Sequence, residues 1–242
     1  MSLTRTLDSD GLIRWVDTVL ENPEEHYDDE CMVKLNHNIF ALDDFETHPH
    51  TRGPVFNPLS SCIIHVTPIS AAAYCGHEKA VKTLLEFPNP HDHHDNVWCS
   101  PLSLAYVSRN FGIIDILKKA NMERDESANP FTIMHAAARD GSPDYVRYLH
   151  THWRVEVTIN DMDGITPAIH ALYRDDDEQV KMMISTIIEF DQQALDITSV
   201  WINDWTCADL AHAMGRRKTL VDWLWRKQDG CTRARATDKL KV

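Results

Sequence analysis

Glycine is scarce, with 8 in 242 residues, and neither GxGxxG nor GxxxxGK[ST] occurs. Backbone loops that cradle nucleotide phosphates are therefore excluded. Cysteine is sparse too. Cys31, Cys62, Cys75, Cys99, Cys207 and Cys231 are scattered without a CxxC pair, a pattern of reduced intracellular thiols rather than of a disulfide framework. Long apolar runs are missing. No stretch approaches the roughly 18 residues of a membrane span, and the opening MSLTRTLDSDG has no apolar leader core. The expected compartment is the cytoplasm, with the nucleus as the alternative. HExxH, GxSxG and catalytic-cysteine signatures are absent as well, so no familiar catalytic motif is written in the chain.

Basic residues are in short supply: 24 Lys+Arg face 37 Asp+Glu, for a net charge of -13. Phosphate affinity comes from Lys and Arg, so nucleic acid is not an expected partner. The deficit is uneven. From Arg216 to Val242 nine basic residues and three acids give +6, leaving -19 on the chain ahead of Arg216. Between Asp8 and Glu46 twelve acids face only Arg14 and Lys34. Each run reads either as a solvated face or, at the basic end, as a docking or nuclear-import patch. The remaining composition, 43% apolar and 25% charged, is that of a globular chain with a sizeable core.

What is present is a repeat. TPISAAAYCGH from Thr67 returns as SPLSLAYVSRN from Ser100, TIMHAAARDGS from Thr132, TPAIHALYRDD from Thr166 and TCADLAHAMGR from Thr206. The spacing between starts is nearly constant as far as Thr166 and lengthens only before Thr206. Thr or Ser before Pro starts a helix: the hydroxyl caps free N–H groups, and proline at the first position needs no donor. Small residues follow, letting neighbouring helices approach. Gly76, Gly141 and Gly215 fall at the same place after the cap, where a left-handed residue would end a short helix. Apolar pairs such as Val81 with Leu84-Leu85, or Ile113-Ile114 with Leu117, then give a second helix a buried stripe. Each unit is expected to be a helix hairpin.

These units resemble ankyrin repeats, whose signature is a turn, T-P-L-H-x-A, a short helix, Gly-His and a second helix ending in Leu-Leu. Thr67 to Leu85 carries nearly every marker. Asp161 to Thr166 supplies the family's preceding turn, and His135 stands at the motif histidine. The resemblance implies an all-α helical solenoid with short inter-repeat β-turn fingers, five units covering residues 62–227. Residues 1–47 are expected to form a helical cap, with stripes at Leu12, Ile13, Trp15, Val16, Val19 and Leu20 and at Cys31, Leu35, Ile39 and Leu42. Residues 48–61 read as a long loop and 228–242 as a basic tail. Arg109 and Asp175 depart from the expected glycine, and the longer interval from Thr166 to Thr206 implies about two extra helical turns within residues 179–190.

No cofactor and no metal are expected. His91-Asp92-His93-His94-Asp95 has ligating side chains but reads more simply as a solvated finger. The resemblance implies that a partner meets the concave face. By register, Val66, Cys99, Phe131, Ile165 and Trp205 precede the caps, while Tyr74-Cys75, Val107-Ser108, Arg139-Asp140, Tyr173-Arg174 and Ala213-Met214 close the first helices. This largely apolar face in an acidic chain suggests a binding site. The expected function is that of an adaptor or regulator binding another protein. The alternative is a cofactor-independent enzyme or carrier, of cyclase, pericyclase or isomerase type, for a small apolar metabolite. His65, Tyr74, Arg139, Asp140 and Tyr173 would then supply its polar groups. The two differ in whether the 48–61 segment leaves the face open or roofs it.

Overall fold

A computed structural model describes residues 6–7, 9–35, 45–46, 55–56, 61–87, 99–122, 131–161, 163–195 and 205–238. Over these residues the chain is mainly helical. Strand β1 (Thr6–Leu7) leads into α1 (Ser9–Glu21), whose Leu12, Val16 and Val19 are buried, and α2 (Pro23–His26) follows. Strands β2 (Cys31–Leu35), β3 (Phe45–Glu46), β4 (Val55–Phe56) and β5 (Cys62–Val66) come next. β1 runs parallel to β2, and β2 antiparallel to β5 from Cys31↔Val66 to Leu35↔Cys62. β3 pairs antiparallel with β4, Phe45 opposite Phe56.

The all-helical expectation for residues 1–47 is corrected here. Cys31 and Leu35, expected on one helical stripe, lie in a strand where Val33 and Leu35 are buried and Lys34 is exposed. Side chains that alternate inside and outside follow the two-residue period of a strand, and the partner that fixes it, β5, lies well beyond any local window. Ile39 and Leu42 fall outside the described residues.

Five helix pairs follow: α3 (Pro68–Cys75) with α4 (Glu78–Leu84), α5 (Pro101–Val107) with α6 (Phe111–Lys119), and α7 (Ile133–Asp140) with α8 (Pro143–Trp153). Then come α9 (Pro167–His170), prolonged by a 3-10 turn over Ala171–Tyr173, with α10 (Asp177–Phe190), and α11 (Cys207–Ala213) with α12 (Lys218–Asp238). The cap chemistry is visible. Thr67, Ser100, Thr132 and Thr206 sit in extended backbone, each side chain accepting a helix N–H. Thr166 differs: its hydroxyl donates to the Ala194 carbonyl. The first helices pack in series, α1 on α3, then α5, α7 and α9. Ala71, Ala72 and Ala73, Ala105, and Ala136 to Ala138 make this possible, all with no exposed surface.

The fourth pair carries the extra length: α10 has 14 residues, against 7, 9 and 11 in α4, α6 and α8. A boundary at residue 227 falls inside α12, which continues to Asp238. Glycine at the end of the first helix has two different reasons. Gly76 and Gly215 are left-handed (φ 77 and 71), and Arg109 adopts the same conformation (φ 61). Gly141 is extended instead, with φ -90. A Cβ there would lie 2.5 Å from both the Ala137 carbonyl and the Tyr106 hydroxyl, so space and not φ requires the glycine. The short Asp161–Gly164 turn is present, with Asp161 N–H donating to Ile165 O at 2.9 Å. The inter-repeat stretches 88–98, 123–130 and 196–204 lie outside the described residues.

Adjacent pairs are tied through backbone carbonyls at helix ends, where intrahelical donors run out. Asn110 Nδ2 donates to the Ala73 and Tyr74 carbonyls at 3.0 and 2.9 Å. Arg174 Nη1 donates to Ala138 and Arg139 at 3.1 Å each, and its Nη2 to Gly141 at 2.8 Å. Arg216 Nη2 donates to Leu172 and Arg174, while Nη1 donates to Asp175 and pairs with Asp177. In three of the four junctions a polar side chain of one pair thus finishes the first helix of the pair before it.

Candidate functional site

The row of residues preceding the caps does not face a partner. Val66, Cys99, Phe131 and Ile165 are buried, 0 to 1% exposed. Each enters the layer between successive first helices, so it belongs to the core. Only Trp205, in the last pair, is half-buried. The row that closes the first helices behaves otherwise: Tyr74, Cys75, Val107, Ser108, Arg139, Tyr173, Arg174, Ala213 and Met214 are half-buried and Asp140 is exposed.

Within that row the structure brings Arg139, Tyr173 and Arg174 together. Arg139 closes α7, and its guanidinium carbon lies 4.4 Å from the centroid of the Tyr173 ring. Phe56 meets the Tyr173 ring edge-on at 6.2 Å, and β4, which carries it, packs against α11. β4 therefore lies at the fourth and fifth helix pairs, with Phe56 against one residue of the row. Most of residues 48–61 lie outside the described residues. Sequence carries no signal for this contact, because it joins Phe56, ahead of the first helix pair, to Tyr173 in the fourth.

Arg139 Nη1 and Arg174 Nε are buried and have no hydrogen-bond partner. A buried unpaired donor costs about 1–3 kcal/mol, more on a charged group. The stack on Tyr173 returns about 0.5–2 kcal/mol but supplies no acceptor. Burial also lowers the Arg174 pKa, with Asp140 opposing the shift. His65 is not part of this group: it sits in β5 with Nδ1 3.7 Å from Glu30 Oε2. Tyr74 is half-buried, and burial raises its pKa. Burial pushes the Cys31 thiol up to about 12 and Cys75 to about 11, so neither is a thiolate nucleophile near neutral pH.

The strongest titratable cluster is one the repeat pattern does not single out. His170 Nε2 lies 2.7 Å from Asp161 Oδ2, both side chains fully buried. Asp161 Oδ1 accepts the Asp163 and Ile165 N–H groups at 2.9 Å. His135 Nδ1 accepts the Thr132 N–H at 3.1 Å, so Nε2 carries the proton and donates to Ile165 O at 3.1 Å. Phe131 stacks on His135, whose ring meets that of His170 edge-on at 5.0 Å. Burial and the neighbouring His170 lower the His135 pKa to about 3. Asp161 is held below the usual carboxylate value: burial acts against this, and the His170 hydrogen bond and charge outweigh it. An aspartate–histidine pair can serve as a general base, but this one touches no solvent. His135 joins the third helix pair to the fourth through Ile165 O and the His170 ring.

His91 to Asp95 lie outside the described residues. Among those described, no group of three His, Cys, Asp or Glu side chains converges as a metal site, and no helix is long and apolar enough to cross a membrane. No protein-family model matches the chain, and no curated protein does. Among solved structures it is similar to one chain of a complex between the Bd0816 predatory endopeptidase from Bdellovibrio bacteriovorus and immunity protein Bd3460. The identity is 16%, the match covers 65% of this chain and 80% of that one, and the TM-score is 0.42.

Proposed function

We propose that the protein is a binding module of ankyrin type, an adaptor or regulator that holds a partner segment along the row closing its first helices. The observation that carries this reading is the half-buried, largely apolar row Tyr74, Cys75, Val107, Tyr173 and Met214 with Arg139 among them. The serial packing of short capped helices, with cross-junction bonds to the preceding helix end, supports the ankyrin reading. Purified tagged protein, cross-linked in extract of its own cells, tests it: cross-links from a partner to residues 74–75, 107–108, 139–140 or 213–214 support the module. Cross-links confined to α1 or α12, or none, overturn it.

A second reading is favoured by one contact. Phe56 meets Tyr173 edge-on and so occupies part of the row. Under that reading the protein carries or transforms a small apolar molecule without a cofactor. Native mass spectrometry separates the two: a retained small molecule supports the carrier, and a bare chain of 27.8 kDa speaks for the module.

A further inference from the structure

We propose that copies of this chain associate head to tail, the exposed side of α12 in one copy docking on the exposed side of α1 and α2 in the next. The inference goes beyond both readings above, because neither side belongs to the row that closes the first helices.

The two sides end the row of helix pairs. α1 packs on α3 and α4, and α12 on α11 and the 3-10 turn Gln192–Leu195, so each turns its other side to solvent. A stack of repeats has to cover its end faces with polar residues. Here that covering has opposite sign at the two ends. Asp10 and Glu21 of α1 and Glu24 and Glu25 of α2 are exposed and form no ion pair among the described residues. At the other end Arg217, Arg226 and Lys227 are exposed, and their side chains meet no carboxylate among the described residues, whereas neighbouring Lys218 pairs with Asp222 at 2.6 Å. Each charged side also holds an apolar side chain in the open. Ile13, 40% exposed, stands one turn from Asp10 on α1, and Trp225, 41% exposed, stands beside Arg226 on α12. Trp and Arg are the side chains that most often anchor an interface, where a rim of weaker contacts excludes water. Trp225 is therefore the anchor, and Ile13 among carboxylates is the surface it fits.

The partner is a second copy because the complementarity lies within one chain. Between Asp8 and Glu46 twelve acids face only two bases, whereas Arg216 to Val242 carries +6. Within one copy the intervening helix pairs hold the two sides apart. Between copies, like ends repel and unlike ends attract, which selects the head-to-tail arrangement. Such a contact is heterologous: every copy keeps one end unused, so the assembly continues into chains or closes into a ring.

Sedimentation of the purified full chain tests it. In about 50 mM salt the average mass should rise above 27.8 kDa as protein approaches about 0.1 mM, and fall back in about 500 mM salt, where exposed charges are screened. Trp225→Ala with Arg226→Gln should weaken association at least about tenfold. Ile13→Ser with Glu24→Gln and Glu25→Gln should do the same from the other end. Each variant alone should stay monomeric, and an equal mixture of the two should form a dimer and stop there, because each retains one working end. If the urea midpoint of either variant falls, Lys227→Gln and Glu21→Gln decide the same question. A mass that stays at 27.8 kDa at every concentration in low salt overturns the proposal. So does assembly that survives the α12 substitutions at full strength, or a mixture that remains monomeric.

Discussion

Arg109 holds a backbone conformation that costs a side-chain-bearing residue about 1–2 kcal/mol. Arg109→Gly should raise unfolding stability by about 0.5–1 kcal/mol, after allowance for the larger entropy of glycine in the unfolded chain, as read from urea denaturation. Gly141 is the opposite case. Its glycine is legible in the sequence, but the reason is not, because the obstructing Tyr106 hydroxyl comes from another helix pair. Gly141→Ala should cost at least about 2 kcal/mol in the same measurement. His135 predicts an acid dependence with a definite sign. Its folded pKa, about 3, lies below the unfolded value near 6.5, so the unfolded chain binds the extra proton between them. The stability it provides is complete above pH 6.5 and falls as pH drops toward 3, by about 1 kcal/mol per pH unit. Asp161, also lowered, adds to the loss at the acid end of that window. Urea midpoints from pH 7 to pH 4 should decline, and His135→Gln should flatten the decline; a flat wild-type profile would contradict the assignment.

At the scale of elements, what can be read in the chain is local. A hydroxyl, a proline and a helix N–H one turn on belong to one short stretch, so the helix starts at Thr67 and Ser100 are visible without a structure. The long fourth pair is visible as spacing. The placement of β2 and β4 is not, because β2 finds its partner only in β5 and Phe56 finds Tyr173 across three intervening helix pairs. The same reason hides Asn110, Arg174 and Arg216, polar residues whose acceptors lie 33 to 44 positions earlier. Nor does the candidate row stay intact: the residues before the caps read as a face because apolar side chains look alike in a core layer and a groove. Truncating the β4 contact gives a direct check. Phe56→Ala should expose Tyr173, and its nitration by tetranitromethane, followed by peptide mass spectrometry, should speed up several-fold relative to Tyr74.

At the scale of the whole molecule, the helix pairs communicate with their neighbours in sequence, the pattern in which stability is close to a sum over units and interfaces. The last interface depends heavily on one residue. Arg216 supplies the bonds to the Leu172, Arg174 and Asp175 carbonyls and the ion pair to Asp177. Arg216→Ala should therefore loosen α11 and α12 ahead of the rest, so that hydrogen exchange in residues 207–224 accelerates while that in 133–149 does not. A uniform acceleration would mean that the pairs unfold as one. The -13 charge likewise resolves by position, with an acidic N-terminal body and a basic end.

The side-chain bonds that finish the first helices point one way: Asn110, Arg174 and Arg216 each reach back toward the N-terminus. A ribosome releases the chain N-terminus first, so each acceptor emerges before its donor. Each of these helix ends therefore stays open to water until the next pair has emerged, and assembly trails synthesis by one repeat unit. As far as these bonds go, loss of the final pair strips donors from the unit before it, whereas loss of the first leaves Asn110 without its two acceptors. Damage to this chain is tolerated unequally at its two ends.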